Sequence, residues 1–139
     1  MGSGIARDEV AVAVIVRDGK VFLGHRHPRR RWYPNCWDLI GGHIEQGDTA
    51  AQAIVRECRE ELSIVIHDAR PIENPVELPT VNLHTFLVSS WDGDLINSAP
   101  DEHDALAWFT PDQVSGLRLA DHSYSVWLPE VIASASQPS

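Results

Sequence analysis

Three glutamates lie close together in a segment that the sequence predicts to be helical. At about 100° per residue, Glu57, Glu60 and Glu61 span roughly 100° of one helix face. The next arc is apolar and contains Ala51, Ile54, Cys58 and Leu62. Like charges three and four residues apart destabilise a helix by a few tenths of a kcal/mol per pair. Carboxylate oxygens at this spacing suit Mg²⁺, although acidic runs on helices are more often solvated faces.

The residues before this helix favour a functional site over a solvated face. Thr49 and Gln52 form a capping box, which places the helix start near Thr49. A glycine-rich turn at Gly41 and Gly42 comes before it. Gly42 is followed by five residues and Asp48, and then by seven residues, an Arg-Glu pair, an apolar residue, Arg59 and two further glutamates.

This string resembles the signature box of the Nudix (MutT-like) hydrolases. The box runs Gly, five residues, Glu, seven residues, Arg-Glu, apolar, any, Glu-Glu, any, Gly, apolar. Two positions depart from it, since Asp48 replaces a Glu and Ser63 replaces a Gly. In the family the first Glu pairs with the box Arg, so we expect Asp48 to pair with Arg56. The backbone at Ser63 must adopt a left-handed conformation at a cost of about 1 kcal/mol, or the chain must end the helix with a different turn.

The resemblance implies a fold, a reaction and a cofactor. The fold is an α/β/α sandwich with a mixed β-sheet over residues 8–133, a single domain. The reaction is hydrolysis of a nucleoside diphosphate linked to another moiety. The implied cofactor is Mg²⁺, with Mn²⁺ as a possible substitute, held by Glu57, Glu60, Glu61 and the Gly42 carbonyl.

The general base has two candidates. Glu57 on the box helix is favoured, and Glu102 is the candidate from a separate loop, although a plain solvated acid is the commoner role for such a residue. Glu45 matches a recurrent box carboxylate that helps the metal site or closes the loop. Gly41, Glu45, Asp48 and Arg56 are the expected structural residues of the box.

Residues 37–43, and Trp108 with Phe109, look like those of one branch of the family. That branch hydrolyses nucleoside triphosphates, including oxidised dGTP. The residues predicted to bind substrate are Arg26, Arg31, Trp37, Asp104 and Trp108. Arginines bind phosphates as forked donors, and a Trp can stack on a base for about 1 to 3 kcal/mol. A surface role for either arginine and a core role for Trp108 are equally open at this point.

Other function classes stay open. The chain could be a catalytically weak or dead nucleotide-binding module, or it could hydrolyse a sugar nucleotide or another diphosphate. An isoprenoid diphosphate isomerase would need an active-site Cys such as Cys36, and a Cys–His hydrolase would need Cys36 with His43. The intact box carboxylates disfavour the isomerase. The Cys–His hydrolase is disfavoured because nothing in the sequence orients the histidine or indicates a stabilised thiolate. The seven histidines show no zinc spacing, so we interpret them as structural or surface residues.

Composition indicates one globular domain in a reducing compartment. The chain has 139 residues, 43% of them hydrophobic, two cysteines and a formal net charge of −9. This charge argues against a nucleic-acid or anionic-membrane partner but not against a small-molecule nucleotide. We expect a cytoplasmic monomer or homodimer, with residues 1–7 a flexible N-terminus or cloning remnant and 134–139 a flexible tail.

The predicted elements alternate between strands and helices. Asp18 and Gly19 form a two-residue hairpin signal after a β-branched run, and Thr110 begins a second capping box. The predicted strands are 10–16, 21–23, 37–40, 64–66, 81–91 and 105–109. A basic loop is predicted at 26–36, a connector containing Pro71, Pro75 and Pro79 follows residue 66, and a polar loop is predicted at 101–104. The last helix is predicted at 123–133, disturbed by Pro129. This order implies a mixed sheet with helices on both faces.

Overall fold

A computed structural model describes residues 8–73, 78 and 80–135. Its elements in chain order are β1 (Asp8–Arg17), β2 (Lys20–Arg26), β3 (Trp37–Asp38), β4 (Ile40–His43), α1 (Ala50–Leu62), β5 (Val65–Ile66), β6 (Ala69–Ile72), β7 (Val81–Val88), β8 (Trp91–Asp92), β9 (His103–Phe109), α2 (Pro111–Val114) and α3 (Tyr124–Ala135). Within these ranges, no helix is both long and apolar enough to cross a membrane.

Seven strands of the described chain form one mixed sheet. Its main path is β3-β2-β1-β7-β6, with β4 paired to β1 and β9 paired to β2. β1 and β7 are parallel, and the other pairs are antiparallel. β1 pairs with β2 near the hairpin and with β4 at residues 10–13. The segment β3–β4 therefore enters the sheet where β1 and β2 separate, and this brings Gly42 into the sheet. β5 and β8 form a separate two-stranded pair.

The first hairpin follows from local sequence, as predicted. Asp18 and Gly19 both have positive φ, at 52° and 74°. Such a turn matches the right-handed twist of the strands it connects. It pairs Arg17 with Lys20 and sets the register in which Ile15 lies opposite Phe22.

Both faces of the sheet are buried, which explains the unbroken apolar run of β1. Ala11, Ala13 and Ile15 belong to a core shared with α1, whereas Val12, Val14 and Val16 belong to a second core shared with α2 and α3. Successive strand residues point to opposite faces, so a strand between two helical layers must be apolar throughout. The predicted α/β/α sandwich with a mixed sheet is confirmed.

Helix α1 begins where its capping box predicts. Thr49 accepts from the Gln52 backbone N–H, and the Gln52 side chain accepts from the Thr49 backbone N–H. Ser63 ends the helix in the left-handed conformation, with φ 59° and ψ 35°. Ala51 was predicted to share the apolar arc but is exposed, because it lies in the first turn, beyond the buried stretch that starts at Ala53.

The predicted glycine turn is wrong in position. Gly41 and Gly42 lie in β4, which is separated from β3 by a break at Leu39. A Cβ on Gly41 would collide with the Ala11 carbonyl, so this glycine allows close approach of two strands. The positive φ of the loop, at 93°, belongs to Gly47.

Several other predicted boundaries differ from the structure. Pro71 lies in β6, an edge strand where a missing N–H is tolerated. Residues 81–91 are divided between β7 and β8, since β8 leaves the main sheet to pair with β5. Pro129 lies inside α3, which continues to Ala135 and so enters the predicted tail. Pro75, Pro79 and residues 1–7 and 136–139 lie outside the described residues.

Candidate active site

Strand β4 and helix α1 bring Gly42 and Glu57 into contact. A Cβ added to Gly42 would lie 2.7 Å from the Glu57 carboxyl carbon. The carboxylate therefore occupies the space that any other residue at position 42 would fill with its side chain. Glu57 is largely shielded, with 16% of its side chain exposed. The glycine thus lets this carboxylate lie directly against backbone.

Arg56 connects the loop before α1 to the helix. Its Nη1 donates to Asp48 Oδ2, and its Nη2 donates to the His43 carbonyl at 3.2 Å. Its guanidinium also lies 3.7 Å from Glu45 and 3.4 Å from Glu57. The shorter Asp48 side chain therefore reaches the arginine, as predicted, and the arginine offsets part of the charge around Glu57.

Glu61 is the buried carboxylate of the site. It is 3% exposed, and its Oε1 lies 2.7 Å from His103 Nε2. Its Oε2 is buried and has no hydrogen-bond partner among the described residues. Burial is the largest cause that raises the pKa of Glu61 to about 10, and the neighbouring carboxyl groups of Glu57 and Glu102 contribute in the same direction. An unpartnered oxygen in such a place leaves one ligand position available.

Glu102 reaches this group from the loop between β8 and β9. One ligand atom each from Glu61, Glu102 and His103 lies within 4.8 Å of the others. Arg30 Nη2 is 3.8 Å from Glu102 Oε1. Glu102, the less favoured loop candidate, is therefore adjacent to the box carboxylates rather than isolated in solvent.

The end of α1 holds the loop that carries Glu102. Ser98 N–H donates to the Glu61 carbonyl at 2.9 Å, and Ile96 N–H donates to the Leu62 carbonyl at 3.0 Å. These bonds satisfy helix carbonyls that have no partner within the helix. Ser63 Oγ is hydrogen-bonded to Ser98 Oγ. The serine that departs from the family pattern thus contacts the same loop.

His103 is the site residue that sequence reasoning missed. It was included among structural or surface histidines and assigned to a polar loop, but it begins β9 and is 2% exposed. Burial lowers the pKa of His103 to about 4, with Arg30 and Arg26 contributing in the same direction. The available signal was its place directly after Glu102 at the start of a strand pattern.

Glu60 lies apart from the buried carboxylates. Its side chain is 60% exposed, and its Oε1 is 3.8 Å from Arg56 Nε. It turns one helix position away from Glu61, toward the rim of the site. The structure therefore places Glu57 and Glu61 inside and Glu60 at the edge.

The two predicted phosphate-binding arginines have different surroundings. Arg26 Nε and Nη2 donate to the carbonyls of Trp32 and Tyr33, and its Nη1 lies 3.4 Å from Asp38. In this conformation Arg26 holds the basic loop in shape. The Arg31 guanidinium lies 5.1 Å from the centre of the Trp32 ring, on an exposed part of that loop.

The three other predicted substrate residues do not converge on one point. Trp37 packs beside the core shared with α3, 4.7 Å from the Phe109 ring centre. Trp108 packs beside the core shared with α1, 4.9 Å from the Phe22 ring centre. Asp104 is exposed and lies 2.6 Å from His25 Nδ1. The two tryptophans thus lie on opposite faces of the sheet.

The donor set fits a hard divalent cation. Glu57, Glu61 and Glu102 supply carboxylate oxygens, one of them buried without a partner. The close packing of Glu57 on Gly42 also brings a backbone segment next to these oxygens. Oxygen-rich sites of this kind suit Mg²⁺ and Mn²⁺ rather than soft metals.

Comparison with known proteins finds matches over most of the chain. The model of the NUDIX domain family matches residues 7–131. The chain is 34% identical to the CTP pyrophosphohydrolase of Escherichia coli K12 over 115 residues, which cover 81% of this chain and 82% of that protein. It is 31% identical to the NAD-capped RNA hydrolase NudC of Pectobacterium atrosepticum over 107 residues, but the match spans only 40% of NudC.

A solved structure shows the same architecture. The solution structure of the E. coli ORF135 protein matches with a TM-score of 0.76 and 29% identity, covering 100% of this chain and 98% of that one. The family match extends over both the box helix and the strand that follows Glu102. The chain therefore belongs to the Nudix hydrolase family, whose members act on diphosphate-linked substrates.

Proposed function

We propose that the chain hydrolyses a nucleoside triphosphate to the nucleoside monophosphate and pyrophosphate, with Mg²⁺ as cofactor and Mn²⁺ as a substitute. The observation that carries this proposal is the buried, unpartnered Oε2 of Glu61 beside Glu57 and Glu102. A buried carboxylate oxygen that lacks a partner is costly unless a cation or proton compensates it.

We propose Glu57, Glu60, Glu61 and the Gly42 carbonyl as the ligands. When bound, Mg²⁺ neutralises the diphosphate charge and lowers the pKa of the attacking water. Arg56 holds the loop before α1 against the helix and keeps Glu57 in place through contacts to Asp48 and Glu57. Glu60 lies at the exposed rim and is included in the proposed set on the box pattern alone.

The reaction needs a carboxylate to accept a proton from water. The water oxygen forms a bond to phosphorus, the phosphoric anhydride bond breaks, and pyrophosphate leaves with the electron pair of that bond. Glu57 and Glu102 are the proposed acceptors. Glu102 is the more accessible, with 45% of its side chain exposed against 16% for Glu57.

A nucleoside triphosphate is proposed because one relative is matched over 82% of its own length. That protein is a CTP pyrophosphohydrolase. Oxidised dGTP is the other nucleotide to compare, and Arg26, Arg31, Trp37, Asp104 and Trp108 remain proposed substrate contacts. A sugar nucleotide or other diphosphate is the alternative substrate class, and a module that binds nucleotide without turnover is the alternative to an enzyme.

The two cysteine mechanisms have little support. Cys36 is buried, its Sγ donates to the Tyr33 carbonyl at 3.0 Å, and burial raises the pKa of this thiol. His43 is exposed and lies 3.8 Å from Asp8. A thiol held protonated in this way is a poor nucleophile.

A substrate panel with product identification tests the proposal. The panel contains CTP, dCTP, oxidised dGTP, a sugar nucleotide and NAD, each with Mg²⁺ and with EDTA. We expect Mg²⁺-dependent release of pyrophosphate from a triphosphate. Release of inorganic phosphate, or turnover in EDTA, contradicts the proposal, and binding without turnover supports the inactive module.

Site variants connect this activity to the carboxylates. Glu57→Gln should lower turnover by about 100-fold or more, a loss typical of removing a group that stabilises charge in the transition state. Glu130→Gln, an exposed glutamate on α3, is the matched control and should keep full activity. Retained activity in Glu57→Gln would remove the metal assignment.

A further inference from the structure

The contact between His103 and Glu61 is buried on both sides. Nε2 of the imidazole lies 2.7 Å from Oε1 of the carboxylate, and the two side chains are 3% and 4% exposed. An ionised carboxylate only accepts hydrogen bonds, so the imidazole must be the donor when Glu61 is charged. This bond occupies Oε1, while Oε2 of Glu61 accepts no hydrogen bond from the described residues.

Gly24 makes room for the imidazole ring. A Cβ at this position would lie 2.7 Å from His103 Nδ1 and 3.1 Å from two ring carbons. Gly24 lies in β2, which pairs with β9 and shifts register just after His25. The glycine therefore determines where the ring can lie.

The backbone around His103 is fixed from both sides. Its N–H donates to the Ala99 carbonyl at 3.0 Å, and its carbonyl accepts from Asn97 Nδ2 at 2.7 Å. The preceding carbonyl, of Glu102, accepts from His27 N–H at 2.9 Å. The ring is therefore held by a rigid frame, as positioning of a partner requires.

The other ring nitrogen lies without a hydrogen-bond partner in the described part of the chain. Nδ1 of His103 is buried and makes no hydrogen bond to any described residue. A histidine that served only to fill space could be replaced by an apolar residue without this cost. The ring is instead placed so that Nε2 reaches Glu61.

We propose that His103 is a positioning residue for the metal site, because its Nε2–H holds Oε1 of Glu61 and keeps Oε2 directed to the cation. The inference rests on the proposed function, since it requires Glu61 to be a metal ligand. Groups that orient metal ligands typically change metal affinity by about 10- to 100-fold when they are lost.

Binding of Mn²⁺ without nucleotide, measured by electron paramagnetic resonance, tests the inference. His103→Gln keeps an amide nitrogen at the distance of Nε2, whereas His103→Asn places it at the distance of Nδ1, too short to reach Glu61. We expect the Gln variant to bind Mn²⁺ within about threefold of wild type and the Asn variant to bind about 10-fold or more weakly. Gly24→Ala, which displaces the ring, should match the Asn variant.

A control variant removes a histidine–carboxylate pair elsewhere. His67 Nε2 lies 2.9 Å from Asp92 on the surface, and His67→Leu should leave Mn²⁺ binding unchanged. Circular dichroism reports whether each variant is folded. If the Asn variant does not fold, Gly24→Ala and the Gln variant still make the comparison.

The outcomes separate this inference from the proposed function. Failure of wild type to bind Mn²⁺ overturns both. Wild-type affinity in His103→Asn, or an equal loss in the Gln and Asn variants, overturns the positioning role alone. A second readout is the Mg²⁺ concentration for half-maximal turnover, which should rise in the Asn variant while the nucleotide KM at saturating Mg²⁺ stays near the wild-type value.

Discussion

Replacing Glu61 by glutamine should make the metal-free protein more stable while it abolishes turnover. The native site raises the pKa of Glu61 from 4.5 to about 10 through burial and the neighbouring carboxyl groups. Between these values the native protein keeps a proton on Glu61 that the unfolded chain releases. Glutamine has no proton to keep, and its amide can donate to Glu57 while its carbonyl accepts from His103.

The magnitude follows from proton linkage. A group whose pKa is raised on folding contributes stability that is present below the unfolded pKa and is lost as pH rises toward the folded pKa. The loss is about 1.4 kcal/mol per pH unit, so from about pH 6.5 to about pH 8.5 it is at most about 3 kcal/mol. His103, whose pKa is lowered to about 4, is neutral in the native state across this window. Its titration in the unfolded chain at about pH 6.5 adds a small slope of opposite sign at the low end, which wild type and variant share.

The assay is urea unfolding of wild type and Glu61→Gln in EDTA across that window. We expect the variant to gain stability relative to wild type as pH rises, with Glu130→Gln as a control that shows no such trend. Adding Mg²⁺ should stabilise wild type but not Glu61→Gln, since a ligand stabilises only the state that binds it. A difference between the two proteins that stays constant with pH would refute the burial argument.

Three further predictions concern Asp48, Tyr124 and Cys36. Asp48→Ala should lower the free energy of unfolding by about 1 kcal/mol, because Arg56 loses a charge-assisted bond at a partly exposed position. Asp48→Glu should keep the free energy of unfolding within about 0.5 kcal/mol of wild type. Equal losses in the two variants would mean that the Asp48–Arg56 pair is not the cause. Tyr124→Phe should cost about 1 to 2 kcal/mol in urea unfolding, since the Tyr124 hydroxyl donates to Asp38 at 2.8 Å in a largely buried network, and an unchanged midpoint would contradict this. Cys36, whose thiol pKa is raised by burial, should react with a thiol reagent only after denaturant is added, and rapid labelling of the folded protein would argue against its burial.

Local chemistry explains what could be predicted from the sequence. The capping box at Thr49 and the hairpin at Asp18 depend on residues within three or four positions of one another. The unbroken apolar run of β1 indicates a strand buried on both faces, and hence helices on both sides of the sheet. The spacing from Gly42 to Glu57 identified the box, and the Asp48–Arg56 pair followed from it.

Tertiary contacts decided the composition of the site. Sequence spacing treats Glu60 and Glu61 alike, but the sheet covers only the second, so one carboxylate is exposed and the other buried. His103 enters the site because strands β2 and β9 pair with a register shift beside a glycine 79 residues away in the chain, at Gly24. Periodicity within a segment contains no information on such pairings, since register between distant strands depends on how both faces of the sheet pack. The amino-acid sequence thus determined the family and the box by itself, whereas burial by the folded sheet decided which carboxylate is enclosed and which histidine lies against it.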